Sequence, residues 1–193
     1  MSELPAWFFG PAEGWRVEDL ANLPPEAPEH LELIDGGLTI MSPQKRWHMK
    51  VVDALVAAFG AQVPRDLDVA REMTVVCGPR QAPEPDVCIV RRAAPPGDLD
   101  DTLLDAADVR LAVEVVSPDS EVRDKERKPQ IYAAAGIPHY WIVDREGQTT
   151  VVYAYDLDPV HRVYGPATIF RDRVDVTLPL SLSVDLSEDR LRA

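Results

Sequence analysis

Three features of the sequence predict an α/β or α+β fold, a mixed central sheet flanked by helices. Short apolar runs recur after Pro64, in "DVAREMTVVC", "DVCIVRR", "RLAVEVV" and "HYWIVD", as β-strands of a shared sheet do. Two segments carry apolar residues at helical spacing instead. Strands outnumber helices, so a sheet with helices packed on it is the expected layering.

The elements follow in order. "WRVEDLANLP" reads as a short helix, and "HLELIDGGLTIMS" as a hairpin turning at Gly36-Gly37, where paired glycines supply the positive φ of a tight turn. The next helix is expected to be capped by Ser42, with Pro43 in its first turn and Val52, Leu55, Val56 and Phe59 on its apolar stripe. A short acidic helix is expected within "GDLDDTLLDAAD", residues 97 to 108, which holds five Asp and no base. Asp119 or Ser120 is a candidate cap for a helix through "KPQIYAAAG", which Gly136 ends. Pro129 leaves two options there: the helix begins near Lys128, or it is kinked. "TTVVYAYDL", "RVYGPATIF" and "VDVTL" are later strands.

Length and composition favour one domain over residues 1–193: 46% of residues are apolar, and no repeat or linker divides the chain. No window approaches a membrane span and the N-terminus lacks a signal pattern, so a cytoplasmic protein is expected, with no membrane contact. Cys77 and Cys88, 11 residues apart, read as buried apolar residues. The formal charge of −13 opposes long-range association with nucleic acid but leaves room for a local basic groove. There is no G-x-S-x-G, no P-loop, and no zinc spacing among His30, His48, His139 and His161.

One residue breaks the apolar pattern. In "RLAVEVV", Glu114 shares a strand face with Ala112 and Val116, and a lone carboxylate buried there costs several kcal/mol. A cation, a hydrogen-bond network or a raised pKa must therefore accompany it. Asp86 stands at the head of a second apolar run, 28 positions earlier. Two carboxylates converging from adjacent strands form a hard-oxygen site suited to Mg²⁺ or Mn²⁺ and to phosphodiester chemistry. Lys128 lies 14 positions after Glu114, and a helix would place Asp124, Lys128 and Tyr132 on one face. The alternative readings are a structural Glu114 paired with Arg110 or Arg123, a turn-capping Asp86, a solvated Lys128 and a surface Glu32. His48, among Lys45, Arg46 and Lys50, is either a phosphate contact or plain surface.

Taken together, "LELIDGGLTIMSP", "EPDVCIV", "LAVEVVSPDS" and "RDKERKPQIYAAAGIPHYWIVD" resemble, in order and spacing, the Uma two family of the PD-(D/E)xK restriction-endonuclease-like superfamily. The likeness runs from about residue 15 to about residue 185. It implies a restriction-endonuclease-like mixed sheet with additional N- and C-terminal strands, and a Mg²⁺- or Mn²⁺-dependent endonuclease acting on nucleic acid, in the first place DNA. It further implies metal ligation by Asp86, Glu114 and the backbone carbonyl of Val115, with Lys128 orienting the attacking water. Glu32 matches an acidic position that either completes the carboxylate cluster or supports a second ion, and His48 a histidine at the start of the first long helix. The superfamily's usual lysine position, two residues after the acid, is Val116 here, so Lys128 replaces it from the following helix. The rival expectation is a catalytically inactive homodimer that keeps the fold as a binding or regulatory module.

Overall fold

A computed structural model describes residues 5–92, 102–177 and 180–193. The elements run α1 (Val17–Leu20), β1 (Leu31–Ile34), β2 (Gly37–Ile40), α2 (Arg46–Gly60), β3 (Leu67–Arg71), β4 (Thr74–Val76), β5 (Val87–Arg91), β6 (Leu103–Asp105), β7 (Val109–Val115), α3 (Lys128–Ala135), β8 (His139–Glu146), β9 (Thr149–Asp158), β10 (Val163–Tyr164), β11 (Thr168–Arg171), β12 (Arg173–Val176), β13 (Leu182–Asp185) and α4 (Glu188–Arg192).

The main sheet has the order β13-β12-β11-β9-β8-β7-β5-β3, with β10 paired to β9. Its one parallel pair is β7–β8, joined through α3, because parallel neighbours need a crossover. All other neighbours in this sheet are antiparallel. Two small sheets, β1–β2 and parallel β4–β6, stand beside it.

Each face of the main sheet carries its own core. Leu111, Val113 and Val115 of β7 face Val51, Val52, Leu55 and Phe59 of α2, and Phe59 meets Trp141 edge-on at 5.7 Å between ring centroids. Truncating Phe59 to Ala would cost about 3–5 kcal/mol. On the opposite face Ala112 and Val116 pack with Tyr132, Ile137, Tyr140 and Ile142. Glu114 shares this second face, as the alternation predicts.

Several local expectations are corrected. The hairpin turns at Asp35-Gly36, with φ of 54° and 79°, and Gly37 already pairs with Ile34. A two-residue turn with both φ positive fits the strand twist, and Asp tolerates that region better than most residues. Ser42 does not cap α2, which starts at Arg46. Met41 N–H still bonds His30 O, which keeps the chain extended past the end of β2. Of the acidic segment, residues 97–101 lie outside the described residues. The remainder forms β6 and one 3₁₀ turn, where Asp105 accepts from Ala107 N–H at 2.8 Å. Ser120 turns its hydroxyl back to Ser117, at 2.9 Å, instead of capping a helix.

The first option for Pro129 is met, since α3 starts at Lys128 with Pro129 in its first turn, but a π turn leads into it. Residues 121–135 run as one helix whose centre, Arg123–Arg127, is a π turn, with Lys128 N–H bonded to Arg123 O five residues back. In that register the carbonyl of Asp124 would await the amide of residue 129, and proline has none. The Tyr140 hydroxyl donates to it instead, at 2.7 Å. Gly136, at φ 87°, closes the helix as expected.

Candidate active site

Four separated segments bring their charged side chains to one end of β7. Glu32 comes from β1, Glu84 and Asp86 from the approach to β5, Glu114 from β7, and Asp124 and Lys128 from the π turn and α3. All six are buried. The hairpin is fixed in place by reciprocal bonds between Leu33 and Ala82, at 3.0 and 2.7 Å, which set Glu32 beside the Glu84 amide.

Lys128 occupies the centre. Its side chain is 0% exposed, and Nζ lies 2.6 Å from Glu32 Oε1, 2.9 Å from Glu114 Oε2 and 3.1 Å from Asp124 Oδ1. Tyr132 donates its hydroxyl to Glu114 Oε1 at 2.6 Å. Arg123 Nε stands 3.6 Å from Glu32 Oε2, so the arginine serves Glu32 and not Glu114. Neither Glu32 Oε2 nor Asp124 Oδ1 receives a well-aligned hydrogen bond, and charge alone holds them.

Asp86 forms the outer part of the site. Its Oδ2 accepts from Val115 N–H at 2.6 Å, while Oδ1 is 3.1 Å from His48 Nε2. Beside it, His30 Nδ1 meets Glu84 Oε1 at 2.6 Å. Glu84 and Asp86 open on a cleft of about 400 Å³ that His30, Met49, Arg71 and Glu72 also line.

Burial and the crowding of like charges set the electrostatics. Burial pushes Glu114 well above the usual carboxylate range, against the pull of Lys128, and raises Asp124 and Glu84 for the same reason. Burial alone would lower Lys128, but Glu114, Glu32 and Asp124 outweigh it and hold its ammonium charged. His30 is raised by its hydrogen bond to Glu84.

The sequence-predicted residues Glu32, Glu114 and Lys128 thus meet directly, and Asp86 reaches them through the backbone of Val115. Two expected roles change. Lys128 faces carboxylates and no solvent, so in this arrangement it cannot hold a water in the cleft. His48, 4% exposed, turns to Asp86 and is not a surface phosphate contact. Asp124 was signalled by its spacing of four from Lys128. Glu84 had the P-E-P-D pattern as its signal, two positions from Asp86 in an extended segment. Arg123 is the sequence's candidate partner for Glu114 but pairs with Glu32, and nothing in the sequence singles out His30.

The donors suit a hard divalent cation in kind, being carboxylates gathered from separate segments. Asp86 is accessible from the cleft, whereas both oxygens of Glu114 are engaged. Among the described residues, no three His, Cys, Asp or Glu side chains stand together as ready ligands.

A mixed sheet with acids at the end of its central strands and a lysine from the crossover helix defines a restriction-endonuclease-like fold. The chain belongs to the Uma2 family, whose model, described as "Putative restriction endonuclease", matches residues 17–190. Among solved structures it resembles a protein from Anabaena variabilis ATCC 29413, titled a "putative nuclease belonging to DUF820". The two share 19% identity with a TM-score of 0.65, over 91% of this chain and 98% of that one. No match among curated proteins was found. No helix among the described residues is long and apolar enough to cross a membrane.

Proposed function

We propose that the protein hydrolyses phosphodiester bonds of nucleic acid, in the first place DNA, with Mg²⁺ or Mn²⁺ at the Asp86–Glu114 end of the sheet. One observation carries this reading: acids from separate segments gather behind a solvent cleft around a single lysine. Asp86 would hold the ion from the cleft, with Glu114 and the Val115 carbonyl as its further ligands. When bound, the ion supplies Lewis-acid polarisation of a phosphoryl oxygen.

The chain's own groups have distinct tasks in this reading. Val115 N–H and His48 orient Asp86, and Tyr132 orients Glu114. Lys128 aligns Glu114 and is itself held by Glu32, which makes Lys128 and Glu32 positioning residues of the ligand Glu114. In the assay, purified protein with Mn²⁺ cuts DNA, and Asp86→Ala and Glu114→Ala abolish cutting. Cleavage that survives both changes rules the assignment out.

A second reading, an inactive nuclease-fold homodimer with a binding or regulatory role, is favoured by the way Lys128 fills the space between three carboxylates. Calorimetry separates the two. The nuclease reading expects Mn²⁺ binding at millimolar affinity or better that Asp86→Ala removes, and the inactive module expects none.

A further inference from the structure

The cleft that holds Asp86 is poorly suited to attracting a polyanion, since Glu72 and Glu84 line it as well. The positive charge lies elsewhere. Arg46 and Lys50 of α2, Arg145 near the end of β8 and Arg192 of α4 surround a groove of about 540 Å³. The groove has one acidic side chain, Glu188, and Arg192 engages it at 2.9 Å within α4. Arg46, Lys50 and Arg145 have no carboxylate partner among the described residues. Arg145 lies over the Trp47 ring, 5.8 Å from its centroid, which fixes the guanidinium at the groove wall.

This clustering opposes the trend of the chain, which has 33 Asp and Glu against 20 Lys and Arg. It is also locally unfavourable, because the first turn of α2 carries no acid and Arg46 sits at the positive end of the helix dipole. At physiological salt the Debye length is about 8 Å, so a local group of bases governs contacts in the groove despite the net charge of −13. The groove and the cleft lie on two flanks of the same helix: Trp47 and Lys50 line one, and Met49 lines the other.

We infer that this groove is an anchoring subsite for the phosphate backbone of nucleic acid, holding the polymer while a neighbouring stretch crosses α2 to the acidic cleft. The inference rests on the nuclease reading for the identity of the polymer. It also explains how so acidic a chain could hold such a substrate.

The test is fluorescence anisotropy of the full chain with a short labelled DNA duplex, in EDTA, at rising salt. Removing two phosphate contacts with Arg46→Gln plus Arg145→Gln should lower the log–log salt slope by about 1.8 and weaken binding roughly 30-fold at 0.15 M salt. Arg65→Gln, an exposed change away from the groove, serves as the control and should leave binding unchanged. Arg46→Gln plus Lys50→Gln serves as a second pair should the first unfold. Unchanged binding in a folded pair, or an equal loss in the control, overturns the inference. So does labelled polyglutamate that binds with the same residue dependence. Groove-dependent binding without Mn²⁺-dependent cleavage by the wild type leaves the groove standing and the nuclease reading fallen. Cleavage with groove-independent binding has the reverse meaning.

Discussion

Lys128→Met tests the centre of the site. Methionine nearly keeps the volume but removes the one ammonium facing Glu32, Glu114 and Asp124 at 2.6 to 3.1 Å. Breaking a buried ion set by deleting one partner costs about 3–5 kcal/mol, because the remaining charges stay buried without compensation. The acids can escape part of this by taking up protons, and the sign of the pH dependence follows. Glu114 and Asp124 are already raised by burial, and losing Lys128 raises them further. An acid whose folded pKa exceeds its unfolded value binds more protons when folded, so stability falls as pH rises from the unfolded to the folded value. Lys128 itself, held above the usual lysine value, contributes fully and constantly across this range. The variant should therefore lose stability between pH 5 and 8 more steeply than the wild type. Urea titration at the two pH values measures this, and at pH 8 the thermal midpoint should fall by roughly 6–20 °C. Adding Glu114→Gln should recover part of the loss. A penalty below about 1 kcal/mol, or one larger at pH 5 than at pH 8, refutes the reasoning.

Tyr140→Phe should cost about 1–3 kcal/mol by leaving the Asp124 carbonyl without a donor, and much less in a Pro129→Ala background, where residue 129 regains an N–H. Equal costs in both backgrounds, by urea titration, would defeat that account of the π turn. His30 should titrate above 6.5 by NMR and fall back toward it in Glu84→Gln, since the pairing is present below the unfolded value and lost as pH rises through the raised one. An unmoved His30 would contradict the pairing. Hydrogen bonds from Arg127 lower the Asp35 carboxyl to a pKa of about 2, but the pair is largely exposed. Asp35→Asn should therefore cost no more than about 1 kcal/mol at neutral pH, and a larger loss would mean that the hairpin depends on this pair.

The sheet was legible because strand alternation is local: "RLAVEVV" alone assigns Glu114 to the face opposite Val113 and Val115, and the cores agree. The hairpin was legible in kind, but its turn was misplaced by one residue, since Asp35 adopts a positive φ that the glycine pair alone did not reveal. The π turn could not be read, because it depends on a long-range partner, Tyr140, satisfying a carbonyl that Pro129 leaves open. The partner of Glu114 was equally hidden. Arg110 and Arg123 are as available in sequence as Lys128, and only the crossover geometry brings Lys128 to it.

The cost of this cluster bears on what it is for. Glu32, Asp86, Glu114 and Asp124 are hydrated in the unfolded chain and meet only when the hairpin, sheet and crossover helix have assembled. Their burial therefore works against folding, and well-packed apolar residues of similar volume are often equal or better for stability. A core that needed only to hold β7 to α3 would be served by Leu or Met at these positions, as the other face of β7 already is by Leu111, Val113 and Val115. Departures from local packing rules of this kind concentrate at functional sites. Apolar substitution of the whole inner set, Glu32→Leu, Glu114→Leu, Asp124→Leu and Lys128→Met, should thus unfold at no lower urea concentration than Lys128→Met alone, and should lose the Mn²⁺ binding that the proposed nuclease reading expects. If the quadruple variant were the less stable of the two, the charges would be structural and the argument from their cost would fail.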